Sequence, residues 1–496
     1  NKGIWTNTRH EAKHKCFAEE VNSHTLRMST HKWSESEFNI ENATLPGYEC
    51  QPQEIGVDHS IEKLENAQRD LDLPASIVSM RPCQDEKETL GYRCTCTFQL
   101  VRSSEDQHFS YAMRHKGEPI LLKADFFPVA TKRIQVAMRA LLECLNSGDY
   151  PALCNNATSV LFGSSWNDGP SSDVFVTLHY DKPLEEVEMQ WSLNALGVCL
   201  RCQFTQLTGR SKKFFTTVKG ENRAKMAGNI RDLVWLARRR QDGEIINVSL
   251  ENDYQNEFIE FDCLPVHYSK PEGAFFHPNS NVMCQALQWM LSRISDIVHI
   301  LDKPARLLEL YCGCGAHTVA LSKAALLDVV AAVEIDPRLV EACEANCRSN
   351  GCYNSYTEWK QIQDSKRDST SGNPTPVFVF QGDAGEWAKK SLYARQRRQR
   401  PPSIFARKSA WYDYDFNIIL VDPPRAGLDE KVCEMVIDGP FEHILYISCG
   451  REALKRDLDR LADHFLVVEC LLLDLFPRTS SVESLVHLAR KPTTIK

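Results

Sequence analysis

The sequence predicts an α/β protein: a carboxyl-terminal Rossmann-like domain preceded by a separate α+β domain. Three observations carry this. From about Pro271 to the carboxyl terminus, apolar strand-like runs alternate with helical patterns, as in a mostly parallel, doubly wound sheet. Before that point strands and helices occur without βαβ regularity. Finally, two late apolar runs follow each other across a short proline-containing connection, which suits an antiparallel hairpin at one edge of a parallel sheet. The expected division is an extension of unassigned role (residues 1–75), an α+β domain (76–270) and the α/β domain (271–496).

Residues 1–75 are polar and short of periodicity. Gly91–Val101 and Val174–Tyr180 read as strands with turn-rich flanks. Between them, Ile134, Ala137, Met138, Leu141, Leu142 and Leu145 recur at helical spacing, with Gly148 as the stop. Asp181 is expected to cap a helix running through Leu193. The alternation of Val198, Leu200, Cys202 and Phe204 then predicts a strand with Cys202 in its core. In the last domain a helix is expected over Val282–Ile297. Strands follow at Arg306–Leu310, Val329–Ile335, Val377–Phe380, Ile418–Val421 and His443–Ile447, and the hairpin at Leu466–Leu473 and Val482–Leu488.

The chain has 496 residues, 43% of them hydrophobic, so it can bury a sizeable core. Its formal net charge of -8 argues against a general nucleic-acid binder, so any RNA contact must come from local basic surface. Nineteen cysteines show no metal-ligand spacing and read as small buried thiols in a reducing compartment, with no metal expected. The polar stretch Asn1–Glu20 predicts no secretory leader. The longest apolar run, Phe465–Phe476, is interrupted by Glu469 and Asp474, which predicts no membrane span. A soluble intracellular protein is expected, with the cytoplasm favoured over nucleus or mitochondrion.

Leu307–Gly315 reads LLELYCGCG, an apolar strand ending in a glycine turn, where Gly313 and Gly315 let the backbone approach a ligand. One Gly-x-Gly is a weak signal, equally a structural turn. The next unit sharpens it. Glu334 ends the second strand about twenty residues past the glycines, where an acid binds both hydroxyls of a ribose. After the third strand, Asp383 can accept from an adenine amino group. The short glycine turn argues against a dinucleotide and for S-adenosyl-L-methionine.

Ile418–Gly427 reads IILVDPPRAG, a buried strand followed by a loop stiffened by two prolines, which suits a wall for a planar base. Arg425 stands where enzymes that methylate exocyclic amino groups carry an aromatic residue. On the neighbouring strand Cys449 sits at the carboxyl end and close to a helix N-terminus, which is expected to lower its pKa and favour the thiolate. Glu483 is one acid in an otherwise apolar strand; burial there is expected to raise its pKa, as a general base requires. These parts fit one reaction. Uracil C5 is a poor nucleophile until a thiolate adds at C6; Cys449 supplies the thiolate, and Glu483 then removes the C5 proton. Arg425 is assigned to the enolate oxygen or to holding the base.

With LLELYCGCG, VDPPRAGLD, YISCG and FPRTSSVES in this order, the chain resembles the RNA 5-methyluridine methyltransferases, most of all those acting on tRNA. The resemblance spans roughly Arg81–Arg490 and is strongest from Phe275 onward. It implies a class I methyltransferase domain, an amino-terminal RNA-binding domain, and the T-loop uridine (position 54) in the T-arm of tRNA as target. It also implies Cys449 as nucleophile, Glu483 as proton acceptor, and Tyr311, Glu334 and Asp422 at the cofactor or the reacting base. Through GYRCTCTF and Gly209-Arg210-Ser211-Lys212 it makes Arg93, Arg210 and Lys212 candidate RNA contacts. Three positions depart from the family pattern: His277 replaces a cofactor-binding glutamine, and Ala316 and Gly450 stand where Asn is usual. The ribosomal-RNA relatives' iron–sulfur cysteine spacing is absent, which favours tRNA.

Alternatives are a non-enzymatic tRNA-binding or folding protein on a degenerate methyltransferase, a ribosomal-RNA uridine methyltransferase, a cytosine-5 RNA methyltransferase and a cysteine hydrolase. Arg425, where the cytosine enzymes have Cys, opposes the third; no His placed to activate Cys449 opposes the last. Arg238–Arg240 and the run from Arg395 to Lys408 are candidate phosphate contacts, equally readable as solvated faces.

Overall fold

The computed structural model describes residues 43–115, 117–122, 127–165, 174–182, 188–211, 254–261, 264–271, 277–354, 373–398 and 415–492. They form two compact units: Arg93–Asn252 with the chain up to Gly47, and Tyr48–Tyr92 with Asp253–Lys496.

The first described elements, helix α1 (Gly56–Leu71) and strand β1 (Val78–Arg81), belong to the larger unit. Strands β2 (Thr95–Arg102), β3 (Phe109–His115), β4 (Glu118–Leu121), β5 (Ala157–Ser164), β6 (Val174–Tyr180) and β7 (Gln206–Ser211) form the smaller unit's sheet, in the order β4-β3-β2-β5-β6-β7. All its pairs are antiparallel except β6–β7. Helix α2 (Lys132–Asn146) buries the expected stripe from Ile134 to Leu145, and Thr131 caps it by accepting from the Ile134 amide. Its core is aromatic: Phe98 meets Tyr111, Phe127 and Phe162 at centroid separations of 5.5, 5.3 and 6.2 Å. A short helix α3 (Pro151–Cys154) precedes β5.

One expectation fails here. Val198–Phe204 is not a strand; helix α4 (Glu188–Cys202) runs through it, and the strand comes later, as β7. Trp191, Ala195, Val198 and Cys199 are buried at helical spacing, and that face overrides the short alternation that suggested a strand. The parallel β6–α4–β7 crossover is thus a βαβ unit where none was expected.

In the larger unit β8 (Tyr254–Phe261) and β9 (Leu264–Pro271) form an antiparallel ribbon, followed by α5 (Ser280–Ile300). The alternating series is β10 (Arg306–Leu310), α6 (Ala316–Lys323), β11 (Val329–Glu334), α7 (Pro337–Ser349), β12 (Val377–Gln381), α8 (Ala384–Arg398), β13 (Ile418–Val421), α9 (Glu430–Asp438), β14 (His443–Ser448), α10 (Arg451–Leu461), β15 (Phe465–Leu473) and β16 (Glu483–Arg490). The eight-stranded sheet has the order β1-β15-β16-β14-β13-β10-β11-β12, parallel throughout except that β16 runs against both neighbours. β13 and β14 are buried at every residue, as expected for strands covered on both faces.

The late pair is the expected antiparallel hairpin, with β16 between β14 and β15 and β1 pairing beyond β15. The two compact units divide the chain elsewhere than at residues 76 and 271. Residues 48–92 belong with the eight-stranded sheet, because Val78–Arg81 pairs with Cys470–Leu473 and Leu64, Ala67 and Leu71 of α1 enter its core. The β8–β9 ribbon joins them, with the Tyr268 hydroxyl donating to the Ala316 carbonyl at 2.6 Å. Pairing across most of the chain leaves no local pattern to read. No described helix is long and apolar enough to cross a membrane.

Candidate active site

β10 lies at the centre of the sheet, with β11 and β12 on one side and β13 and β14 on the other. The chain reverses its winding there, and in open α/β sheets the crevice above the strands' carboxyl ends at that point receives the ligand. The sequence-predicted residues Tyr311, Glu334, Asp383, Asp422 and Cys449 all follow or end strands on this edge.

The glycine turn after β10 has two different jobs. Gly315 (φ +85°) packs against α7: a Cβ there would stand 2.7 Å from Cys343 Sγ. Gly313 (φ +56°) has open space where its Cβ would be, leaving room for a ligand to approach the backbone. Tyr311 is also left-handed (φ +65°), a costly conformation for an aromatic residue. Burial, with Asp383 and Asp429 nearby, pushes its phenol well up. The Glu334 carboxylate accepts from Gly313 N at 3.0 Å and from the amides of Ile335 (2.8 Å) and Asp336 (2.9 Å), so it is fixed beside the turn. Asn346 on α7 clamps the same turn from below, donating to Cys314 O at 2.8 Å. Asp383 is exposed and accepts from Glu386 N at 3.0 Å, at the start of α8. An open glycine backbone next to a fixed carboxylate fits an adenosyl ligand with ribose hydroxyls to bind.

The second half of the edge carries the residues expected as nucleophile and base. β14 and β16 pair as far as Ser448–Ser484, which brings Cys449, the residue after β14, and Glu483, the first of β16, to the same end of the pair. Cys449 is a free, half-buried cysteine and Glu483 is buried. The expected lowering is not found: burial, then the Glu483 charge, push the Cys449 thiol up, while Arg425 pulls the other way. The partial charge of one helix terminus is outweighed by desolvation and by carboxylates that distant segments bring in. Burial also pushes the neighbouring Asp422 up to about 7.

His277, expected at the cofactor, places Nε2 4.0 Å from Glu483 Oε2. Its Nδ1 lies 2.9 Å from the Asn279 carbonyl. The Asn279 side chain caps α5 through Val282 N (3.3 Å) and donates to Leu475 O (3.2 Å). Gly450 explains one departure from the family pattern. A Cβ there would stand 2.5 Å from the Arg425 carbonyl oxygen, so the Asp-Pro-Pro-Arg loop sits directly on this residue. Arg93 and Arg210 lie in the smaller unit, Arg93 donating from Nε to the Thr95 carbonyl (3.0 Å) and Arg210 half-buried in β7. Lys212 and the basic run Arg238–Arg240 lie outside the described residues, as do the side chains of the run from Arg395 to Lys408.

Sequence reasoning missed three features. His317 and Glu309 form a buried pair (3.7 Å), with Thr318 Oγ1 donating to Glu309 at 2.6 Å. Burial alone would lower the His317 imidazole, but Glu309 and Asp422 outweigh it and hold it up. Asp457, fully buried on α10, accepts from Leu428 N (2.7 Å) and Tyr446 Oη (2.8 Å), and Arg456 beside it donates to Ala426 O (2.8 Å). These bonds fix the loop after β13. Lys63 and Arg478, the third feature, are buried cations on opposite sides of the Glu483 loop's anchorage. An acid or cation at a helical core position was the available signal.

The fold and this edge define a class I, S-adenosylmethionine-dependent methyltransferase. The chain belongs to the tRNA (uracil-5-)-methyltransferase family, whose model matches residues 217–357 and 405–491. The tRNA/tmRNA (uracil-C(5))-methyltransferase of Pseudomonas syringae pv. syringae (strain B728a) is 30% identical over 403 residues, covering 81% of this chain and 88% of that protein. The enzyme of the same name from Pseudomonas fluorescens (strain SBW25) is 28% identical over 421 residues, covering 85% and 94%. The crystal structure of Pyrococcus abyssi tRNA (uracil-54, C5)-methyltransferase in complex with S-adenosyl-L-homocysteine matches with a TM-score of 0.51 at 16% identity, covering 88% of this chain and 84% of that one. At that identity the likeness shows the fold.

Proposed function

We propose that this enzyme methylates C5 of the T-loop uridine of tRNA (position 54), with Cys449 as nucleophile and Glu483 as base. One observation supports the reading: β14 and β16 pair as far as Ser448–Ser484, so Cys449 and the buried Glu483 both adjoin the last pair, on the sheet edge that also bears the open glycine turn. Gly313, Gly315, Glu334, Tyr311 and Asp383 would hold S-adenosyl-L-methionine, which when bound supplies the methyl group that C5 takes.

The chain's own residues do the rest. Cys449 Sγ adds to C6 of the uracil, its proton passing to Asp422, whose raised pKa suits proton uptake near neutrality. The C5–C6 π electrons move toward C4–O4, making C5 nucleophilic. Arg425, which already lowers the thiol's pKa, is placed to face the developing negative charge. After methylation Glu483 takes the C5 proton; the C–H electrons restore the double bond and expel the Cys449 thiolate, which recovers its proton from Asp422. A T-loop uridine must leave its stack to enter the crevice. The smaller unit, with Arg93, Arg210 and Lys212, is assigned to tRNA.

The test is transfer of labelled methyl from S-adenosylmethionine to unmodified tRNA, with the modified base mapped, and the same map in cells lacking the protein. 5-Methyluridine at the T-loop, lost in those cells, is the expected result. Methylation of another base or only of ribosomal RNA refutes it.

A further inference from the structure

The segment joining β15 to β16, Asp474–Val482, leads into Glu483 and is held at six of its nine carbonyls. Lys63 Nζ donates to the carbonyls of Phe476 (2.9 Å), Thr479 (2.8 Å) and Ser481 (3.1 Å) and pairs with Asp474 at 2.5 Å. Tyr92 Oη donates to Pro477 O at 3.0 Å, and the amides of Glu49 and Cys50 donate to Arg478 O at 3.0 and 3.3 Å. Asn279 holds Leu475 O. The segment in turn inserts Arg478, 1% exposed and left-handed (φ +69°), into the chain from Gln51 to Thr89. Its guanidinium donates to the carbonyls of Gln51 and Glu54 (3.1 Å), to Thr89 Oγ1 (3.1 Å) and to Glu86 Oε2 (2.8 Å).

A surface turn between two strands has water for its carbonyls and no need of two buried cations, each costly to desolvate. Here both converge on the few residues before the acid that must meet a C5 proton. We infer that Lys63 and Arg478 are positioning residues for Glu483, and that Tyr48–Tyr92 is the bracket that sets the angle and depth of the proton acceptor. This rests on Glu483 being the base. A misplaced acceptor leaves thiol addition and methylation intact and slows only proton removal and release of the cysteine. Its signature is a kcat defect with accumulated covalent adduct, without a KM defect.

The experiment uses the full chain with Lys63→Met, Lys63→Arg and Glu483→Gln, tRNA as substrate, and denaturing gels to score protein–RNA adduct beside steady-state kinetics. Lys63→Met is expected to lower kcat about 10–100-fold, leave KM for tRNA unchanged and accumulate methylated adduct as Glu483→Gln does; Lys63→Arg restores part of kcat. Wild-type kcat, or a fall in kcat with no adduct, overturns the inference. Should Lys63→Met fail to fold, Thr89→Val, which removes one bond to Arg478, decides by the same two readouts. If Glu483→Gln itself gives no adduct, the assignment of the base fails; if it does and Lys63→Met and Thr89→Val do not, only the bracket fails.

Discussion

Cys449, directly after β14, and Glu483, the first residue of β16, both adjoin Ser448–Ser484, the last pair of two antiparallel strands. β14 is parallel to the core strands, so its carboxyl end presents Cys449. Among the described strands of that sheet β16 alone runs antiparallel, so its amino end presents Glu483 at the same edge. Reversing β16 would carry the acid to the opposite edge.

Gly450→Asn, which installs the residue usual in the family, forces a Cβ to within 2.5 Å of the Arg425 carbonyl. Backbone cannot yield as a side-chain tip does, so a loss of about 1–3 kcal/mol is expected, with kcat reduced because the loop carrying Asp422 and Arg425 shifts. Denaturant unfolding and steady-state kinetics measure both.

Glu334→Gln keeps the shape but removes the charge that Gly313, Ile335 and Asp336 bond to. Charge-assisted bonds are worth about 1.5–3 kcal/mol, so affinity for S-adenosylhomocysteine should fall about tenfold or more by calorimetry, with tRNA affinity unchanged.

Asp422 makes a pH prediction. Burial raises its carboxyl from the ordinary 3.8 to about 7. Over that window the folded state binds a proton the unfolded chain has released, so the contribution to stability is full below the lower value and declines as pH rises through the upper one. Asp422→Asn should remove this decline, making denaturant midpoints less sensitive to pH between 5 and 8 than wild type.

Much of this was legible in the sequence. Arg306–Leu310, Ile418–Val421 and Val174–Tyr180 form strands over the expected residues, because a short apolar run bounded by turn residues has few other uses. The glycine turn and the carboxyl-edge position of Cys449 follow from that alternation. What escaped is non-local. Val78–Arg81 is too short and mixed to announce itself, and its partner lies near the far end of the chain. Cys449's thiol is raised by burial first and then by the charge of Glu483, neither of which its own segment announces. His277 is expected at the cofactor from its place in the motif, and only the fold shows its Nε2 4.0 Å from Glu483 Oε2.

Asp457→Asn tests the loop clamp. It weakens bonds to Leu428 N, Tyr446 and Arg456 around a fully buried carboxylate, and about 1–3 kcal/mol of stability should go with them. Thermal unfolding with and without S-adenosylhomocysteine gives the value.

The covalent bond to Cys449 is the central claim, and tRNA carrying 5-fluorouridine tests it most directly, because fluorine at C5 cannot leave as a proton. Mass spectrometry of the trapped complex, formed with S-adenosylmethionine, should find the methylated nucleotide on the peptide containing Cys449, and no complex with Cys449→Ala. An adduct on another cysteine, or none from protein that is active on ordinary tRNA, contradicts the account.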